Sequence, residues 1–543
     1  MHCTRALKQV IALLGATILA LPLMVVPASA EPAPSRLDDE VSQRLQTTPD
    51  SQLIPVIVEG AAAGSPQTPS ARAQRVEDHV RGSGGHVVAT SNLLGATVAE
   101  LTPGQIRALA ADPAVARIHF DAPVEAAASS ADASTGGPTP IVFQQSVGAP
   151  AAWQAGDTGQ GVTVAVLDTG IDDNPAAFGG RVKARVDLID PAHPAAGDPA
   201  GHGTHIAGIV AASRGFASPG IAPDASLVSV RVLDENGHSR VSTIMLGLEW
   251  VVAHRASLGI RVVVMALGAP AVAGYRDDPL ASAAELAWRS GLVLVVAAGN
   301  DGPAAGTIQT PGIDPLVLTV GASDDSGTAS TADDVLPTWS SAGPTPDGLA
   351  KPELVAPGRK IVSVRVPGST VDLQSPTHIE GPSTIRFSGT SEAAAVAGGA
   401  AALLVQQRPE LTPDQTKALL TQGARPIAGV SAAAQGAGLL NVLRSMADRT
   451  PHVSRPHLPP ANGVVRAVLP QLAEQLGGHG DDDQVQWDKV IWDRVLWDKV
   501  IWDKVIWDRV LWDRVLWDRV LWDRVLWDRV LWDRVLWDQT IFD

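Results

Sequence analysis

Three short segments of the chain hold the residue types that acyl transfer to a serine requires. An apolar run ends in Asp168, His202 opens another apolar segment, and Gly389-Thr-Ser391 precedes an Ala-rich run. A serine hydroxyl is a weak nucleophile at neutral pH, so a histidine has to accept its proton. A carboxylate has to orient that imidazole and balance its charge. Asn300, which follows a further apolar run, could donate to the developing oxyanion.

Each of these residues also has a simpler structural interpretation. Serine is a preferred N-cap, so Ser391 could do no more than begin the Ala-rich helix. Asn300 follows Gly299 and suits a turn. His202 and His205 are three residues apart and could bind a metal ion, but no third ligand lies nearby in the sequence.

The elements that must position these residues alternate between strands and helices over residues 141–447. The strands are near-continuous apolar runs, which suit a parallel sheet with helices on both faces. Ligands bind at the carboxyl ends of the strands in such a sheet, where Asp168 and Asn300 fall. Strands are predicted at 162–167, 227–233, 262–265, 292–296 and 317–320, and helices at 242–255 and 280–290.

The N-terminal 30 residues have the pattern of a secretory signal peptide. Arg5 and Lys8 precede an apolar run at 10–26, and a small-residue cleavage site ends in Ala30. An uncleaved anchor is the alternative, but the run is short for a spanning helix and contains Pro22. The only cysteine is Cys3, so a processed chain has neither disulfides nor cysteine-ligated zinc. The net charge of −16 argues against a nucleic-acid partner.

Residues 31–126 are predicted to form a small α+β domain. Strands are expected at 54–58, 85–88, 92–99 and 115–120, and Thr102-Pro103 is a typical start for a helix that runs to about residue 111. Residues 127–140 are small and polar and predict an exposed linker that is open to proteolysis. Residues 448–486 are rich in Pro, His and Gly and are interpreted as a second linker.

Residues 487–543 repeat Trp-Asp-[Lys/Arg]-Val-[Ile/Leu] with a period of five. On a helix, successive tryptophans would advance by about 140° and form no stripe, and on a strand they would alternate between faces. A stacked coil is one alternative. The repeat is interpreted as a cell-surface anchor, a self-association module or a wall- or glycan-binding module, and a poorly ordered expanded repeat without a partner is the simpler hypothesis.

The order Asp168, His202, Ser391 resembles that of subtilisin-like serine proteases, the subtilase family. The resemblance covers residues 141–447 and extends to Val166-Leu-Asp-Thr-Gly-Ile171, Gly201-His-Gly-Thr-His205, Val296-Ala-Ala-Gly-Asn300 and the segment around Ser391. It implies a subtilisin-like open parallel sheet, preceded by an inhibitory propeptide at 31–126 and a self-cleavage region at 127–140.

The resemblance also implies the roles of individual residues. Asp168 would orient His202, His202 would act as general base and then general acid, and Ser391 would be the nucleophile. Asn300 and the Ser391 backbone N–H would bind the oxyanion. The substrate backbone would pair with the segment Ala266, Leu267 and Gly268.

The sequence departs from the family pattern at three of these places. Glu392 follows Ser391 where Met is usual, and its charge would raise the pKa of His202 and alter the pH profile. Ala395 replaces the usual Pro, and Ala266 replaces a Ser. Structural calcium belongs to the family, but no residues for it can be assigned. Asp301, beside Asn300, leads to the hypothesis of a preference for a basic residue at the cleaved bond.

The sequence therefore predicts a secreted serine endopeptidase that acts on proteins and peptides, needs no cofactor for its chemistry and is inhibited by its own propeptide. The alternative is a non-catalytic protein that displays the repeat on a protease scaffold for adhesion or assembly. Glu392 and Ala266 favour that alternative, whereas the presence of Asp168, His202, Asn300 and Ser391 favours the enzyme.

Overall fold

The computed structural model describes residues 36–61, 68–127, 139–451, 460, 462 and 465–469. The predicted signal peptide at 1–30, most of the predicted linker at 127–140 and the repeat at 487–543 lie outside the described residues. Within the described ranges, no helix is both long and apolar enough to cross a membrane.

Residues 36–120 build an antiparallel sheet of order β2-β3-β1-β4 with three helices. Its core consists of side chains such as Val56, Val80 and Ile106. The predicted strand at 92–99 begins only at residue 96, because the chain first turns through Gly95 at a φ of 70°. The elements are α1 Asp39–Thr47, β1 Ile54–Gly60, α2 Pro69–Gly82, β2 His86–Ser91, β3 Ala96–Leu101, α3 Pro103–Ala110 and β4 Val115–Phe120, followed by β5 Pro123–Ala126.

The large domain is organised by a seven-stranded parallel sheet of order β14-β13-β12-β10-β6-β8-β7. The predicted parallel strands are confirmed to within two or three residues at their ends. The strands are β6 Thr163–Asp168, β7 Val182–Asp187, β8 Ser226–Arg231, β9 His238–Arg240, β10 Ile260–Met265, β11 Leu267–Gly268, β12 Val293–Ala297, β13 Leu318–Ser323, β14 Leu354–Pro357, β15 Ile361–Val364 and β16 Thr384–Phe387. The helices are α4 Phe143–Ser146, α5 Ala149–Ala155, α6 Pro175–Phe178, α7 His202–Ala211, α8 Val241–Leu258, α9 Pro279–Arg289, α10 Thr370–Gln374, α11 Thr390–Gln407, α12 Pro413–Gly423, α13 Ala432–Gln435 and α14 Val442–Ala447.

Helices α8 and α11 pack on opposite faces of this sheet. A Cβ atom on Gly398 of α11 would lie 2.4 Å from Cγ2 of Val264, and one on Gly247 of α8 would lie 3.4 Å from Cδ2 of Leu167. Val264 pairs with Val166 in the neighbouring strand. Successive side chains point to opposite faces of a sheet, so Leu167 and Val264 mark different faces. The Gly- and Ala-rich sequence of α11 allows this close approach.

Ser391 is the second residue of α11 and does not cap it. The N-cap is Gly389, and no side chain caps this helix end. The interpretation of Ser391 as an N-cap is therefore wrong, since the helix begins one residue before it.

The small domain contacts the large domain mainly through α8. Asp121 accepts hydrogen bonds from the Ser242 backbone N–H at 2.9 Å and from its hydroxyl at 2.7 Å, which caps the start of α8. Further along the helix, Glu249 accepts from the Ser91 hydroxyl and the Asn92 N–H. Only Asp121 and Ala122 separate β4 from β5, so β5 is carried on a short connection.

Part of the predicted linker at 448–486 is packed against the large domain. Residues 465–469 are helical, and Val465 and Val468 are buried in its core. Asn462 donates to the Ser282 hydroxyl at 2.9 Å. This part is not an exposed linker, because its two valines bury apolar surface that the Pro- and Gly-rich composition around them did not reveal.

Candidate active site

Asp168 and His202 meet where strand β6 ends and helix α7 begins. Nδ1 of His202 lies 2.7 Å from Oδ1 of Asp168, and both side chains are buried. An ionised carboxylate can only accept, so Nδ1 carries a proton, and in the neutral imidazole Nε2 presents its lone pair. Within the described chain, Nε2 is buried and has no hydrogen-bond partner. This imidazole can accept a proton at Nε2.

A buried carboxylate behind His202 holds the start of α7. Oδ1 of Asp198 accepts from the Gly201 N–H and the Thr169 hydroxyl at 2.8 Å each. Its Oδ2 accepts from the Thr204 N–H at 2.8 Å. These bonds tie α7 to the end of β6, so Asp198 positions His202 without contacting it. No pattern in the sequence assigned a role to Asp198.

Ser391 lies at the same edge of the sheet and is fully buried. Its Oγ donates to the backbone carbonyl of Ala266 at 3.0 Å. Among the hydrogen bonds of the described residues, none joins Ser391 to His202. The structure thus pairs Asp168 with His202 directly and places the serine hydroxyl on the strand segment predicted to bind substrate.

Asn300 follows β12 and makes hydrogen bonds at both ends of its amide. Its Oδ1 accepts from the Thr390 N–H at 3.0 Å and from the Thr390 hydroxyl at 3.1 Å. Its Nδ2 donates to the carbonyl of Ala127 at 2.6 Å. Because the oxygen faces two donors, the amide orientation is fixed and Nδ2 points at the carbonyl. The Ser391 backbone N–H makes no bond to that carbonyl within the described chain.

Strand β5 of the chain itself runs through the site. It lies between β9 and β11 in a three-stranded antiparallel sheet. Strand β11, Leu267–Gly268, pairs with Ala126 and Glu125. Beyond it, the N–H of Ala127 donates to the carbonyl of Ala266 at 3.1 Å. The segment predicted to pair with a substrate backbone therefore pairs with residues 125–127 of this chain.

The charges around His202 favour its protonated form. Burial lowers the pKa of His202, but the adjacent carboxylate of Asp168 and the charges of Glu392 and Asp198 outweigh burial and raise it to about 9. The charge of Glu392 thus raises the pKa of His202, in the direction that the sequence predicted. A base with a raised pKa is neutral, and able to accept a proton, mainly in alkaline solution.

Glu392 forms a buried pair with His205. Oε1 of Glu392 lies 3.7 Å from Nε2 of His205, and both side chains are fully buried. Within the described chain, neither carboxylate oxygen nor either ring nitrogen has a hydrogen-bond partner. Burial raises the pKa of Glu392 to about 7, and burial together with the nearby His202 lowers that of His205 well below its ordinary value. His205 is thus neutral, and Glu392 ionises near neutral pH.

Within the described residues, no further metal ligand accompanies His202 and His205. His205 packs edge-on against Phe387 with ring centroids 4.9 Å apart, and its Nε2 faces Glu392. Across the described ranges, no group of three or more His, Cys, Asp or Glu side chains is arranged to hold a metal ion.

Comparisons with known proteins give this arrangement a family. Residues 159–445 match the model of the subtilase family. The chain belongs to that family. This subtilase is 37% identical to the serine protease AprX of Bacillus subtilis (strain 168) over 297 residues, which span 53% of this chain and 67% of that protein. It is 30% identical to subtilisin E of the same strain over 381 residues, spanning 70% and 88% of the two chains.

The fold of the subtilase is also found among solved structures. Fervidolysin from Fervidobacterium pennivorans, described as a keratinolytic enzyme related to subtilisin, superimposes with a TM-score of 0.58 at 22% identity. The match covers 74% of this chain and 62% of that one. At this identity the similarity concerns the fold alone. Family membership and the relatives make the chain a serine-type endopeptidase.

Glu392→Gln is expected to move the acid limb of the pH profile of kcat/KM to lower pH by about 0.5–1 unit. Ionised Glu392 raises the pKa of His202, and glutamine cannot ionise. His202 must be neutral to accept a proton, so its neutral form would persist to lower pH in the variant. The measurement is kcat/KM between pH 5 and 11 on one peptide, with the exposed Glu410→Gln as control. An unmoved limb would contradict the coupling.

The same substitution should change how stability depends on pH. The folded-state pKa of Glu392, about 7, lies above its unfolded value of about 4.3. The native state therefore holds this proton more tightly, and the contribution to stability is full below about pH 4 and is lost as pH rises through 7. When the pH is raised from 5 to 9, the free energy of unfolding of Glu392→Gln should fall by about 3 kcal/mol less than that of the parent. Denaturant titrations at the two pH values measure this difference.

Proposed function

We propose that this chain is a secreted serine endopeptidase that is made as a precursor and cleaves its own Ala127–Ala128 bond. One observation carries the proposal. The carbonyl of Ala127 accepts from Nδ2 of Asn300 at 2.6 Å, while the N–H of the same residue donates to Ala266, whose carbonyl also holds the Ser391 hydroxyl. A peptide bond bound in this way has its carbonyl polarised and its backbone aligned beside the serine.

The proposed reaction assigns each proton to one atom. Oγ of Ser391 exchanges its bond to Ala266 for one to Nε2 of His202, gives its proton to that nitrogen and attacks the carbonyl carbon of Ala127. Asn300 stabilises the resulting oxyanion, and Asp168 balances the imidazolium charge. The bond to the nitrogen of Ala128 breaks as His202 protonates that nitrogen. Water then hydrolyses the acyl-enzyme with His202 again as base.

The small domain at 31–126 is proposed to be the inhibitory propeptide of the enzyme. Support comes from β5, which occupies the site as a strand, and from the bonds of Asp121 and Glu249 that attach the domain to α8. After cleavage the same contacts persist, so the cut segment would keep other protein and peptide substrates out until the domain dissociates.

Secretion and attachment rest on the two ends of the sequence. The basic and apolar pattern of residues 1–30 supports export, and the Trp-rich repeat at 487–543 is proposed to associate with a cell surface or with other copies of the chain. No cofactor is assigned to the reaction, since Ser391, His202, Asp168 and Asn300 fill all the roles. Structural calcium remains an expectation of the family without assigned residues.

The proposal is tested by comparing the intact masses of the parent chain and the Ser391→Ala variant. The secreted parent is expected to begin at Ala128, whereas the variant should retain residues 31–127 because it lacks the nucleophile. Processing of both chains at the same bond would show that another protease cuts them. Parent chains that keep residues 31–127 and do not react with a fluorophosphonate probe at Ser391 would favour the non-catalytic display protein instead.

A further inference from the structure

The residue before the proposed cleavage site, Ala127, lies between two segments that each contain a glycine. The first segment accepts the N–H of Ala127 at the carbonyl of Ala266 and continues into Gly268. The second donates to the Ala127 carbonyl from Asn300, which directly follows Gly299. Both segments, the two walls that bind the backbone of Ala127, therefore contain a residue without a Cβ atom, which leaves space beside the acyl side of the proposed cleavage site.

The side chain of Gln309 takes up this room. A Cβ atom on Gly268 would lie 2.4 Å from Oε1 of Gln309 and 3.0 Å from its Cβ. A Cβ atom on Gly299 would lie 2.7 Å from Cγ of Gln309 and 2.8 Å from its Cδ. All four distances are shorter than an ordinary van der Waals contact, so the side chain of Gln309 lies directly against both glycines. The recess between the two walls is therefore filled by a side chain of the enzyme.

Backbone and side-chain bonds keep Gln309 in this place. Its N–H donates to the carbonyl of Ala298 in one wall at 3.0 Å. The next residue, Thr310, exchanges hydrogen bonds of 2.9 and 3.1 Å with Ala269 in the other wall. Nε2 of Gln309 donates to Oδ2 of Asp301 at 2.7 Å. To vacate the recess, Gln309 would have to give up the bond to Asp301 and turn away from a segment that is tied to both walls.

We propose that Gln309 closes the acyl-side recess and restricts this enzyme to cleavage after small residues such as alanine. The inference rests on the proposed function, because it names the substrate class of that same site. The residue that occupies the position in the structure is itself an alanine, Ala127. Leucine, phenylalanine and lysine would have to displace the side chain of Gln309. Oδ2 of Asp301 accepts from the Gln309 amide, and the peptide series below tests whether the charge of Asp301 favours lysine.

The first test measures specificity in the processed enzyme. One peptide has the sequence of residues 123–130, and three others carry Leu, Phe or Lys in place of Ala127. The value of kcat/KM is determined for each peptide. The parent should cleave the Ala peptide best, and Gln309→Gly and Gln309→Ala should raise the Phe-to-Ala ratio of kcat/KM at least about 100-fold. The ratio does not depend on the amount of active enzyme. The exposed Gln374→Ala is the matched control and should leave the ratio unchanged.

Two outcomes of this test would overturn the inference while leaving the protease proposal intact. One is a parent enzyme that cleaves the Phe, Leu or Lys peptide as well as the Ala peptide. The other is a Gln309→Gly enzyme whose preference equals that of the parent.

A second test needs no turnover and therefore separates the two proposals. In the full-length Ser391→Ala chain, hydrogen exchange is measured at β5, where the Ala126 N–H donates to Gly237 and the Ala127 N–H to Ala266. Ala127→Phe should accelerate this exchange at least about tenfold, because the ring has no space, and Gln309→Gly should restore the protection. Rescue without any peptide cleavage by the parent would support Gln309 as the side chain that fills the recess, and would reject the proposed self-processing protease. Lost protection that Gln309→Gly does not restore would reject Gln309 as the cause.

Discussion

Asp168→Asn is expected to lower kcat by about 10⁴-fold while the protein stays folded. Oδ1 of Asp168 accepts from the Thr169 N–H at 2.7 Å as well as from His202. Both donors need an acceptor at this position, so the asparagine oxygen would occupy it and the tautomer of His202 would be kept. What the variant loses is the negative charge that stabilises the imidazolium formed when Ser391 gives up its proton.

The pH profile distinguishes this effect from general damage. Against the effect of burial, Asp168 is the strongest of the groups that raise the pKa of His202. The acid limb of kcat/KM should therefore move to lower pH as the plateau falls. The Asp168→Asn precursor is first cleaved by a trace amount of affinity-tagged parent enzyme, and the tagged enzyme is then removed. The exposed Asp173→Asn serves as control. A plateau within tenfold of the parent and an unmoved limb would contradict the role of Asp168.

Asn300→Ala should lower kcat by about 10²–10³-fold and change KM little, since an oxyanion donor acts mainly in the transition state. The bond from Nδ2 to Ala127 is the contact that the substitution removes. Single-turnover rates on a peptide with alanine on the acyl side of the cleaved bond would separate the chemical step from binding.

Asn300→Asp is the matched comparison, because it keeps an acceptor for the two Thr390 donors but removes the N–H. We expect a loss at least as large as for alanine, since a carboxylate would also repel the oxyanion. Rates within threefold of the parent in both variants would mean that the oxyanion is stabilised by other groups.

Local patterns predicted much of this fold because the signals lie within single segments. Uninterrupted apolar runs identified the parallel strands, and polar residues at their carboxyl ends identified Asp168 and Asn300. Capping chemistry located α3, which starts at Pro103 after Thr102. The same chemistry occurs at Thr68 and Pro69, where α2 begins, so the sequence also contains a start signal for that helix.

The features that the sequence did not reveal depend on contacts between distant segments. Residues 123–127 are too short to show a strand period, and β5 exists because β9 and β11 pair with it. The contact between His205 and Glu392 joins residues far apart in the chain, and Glu392 alone signalled an unusual site. Gln309 belongs to no motif, and its position between two glycines follows only from tertiary packing.

The short connection between β4 and β5 has a kinetic consequence. Only Asp121 and Ala122 connect the docked small domain to β5, so the local concentration of the segment that is proposed to be cleaved is set by the chain and by docking on α8. Under the proposed processing, the cut is unimolecular and independent of dilution. Release of the cut domain is a dissociation, which dilution favours. A precursor leaving a cell would thus be cut at the same rate everywhere, yet would become active first where it is most dilute.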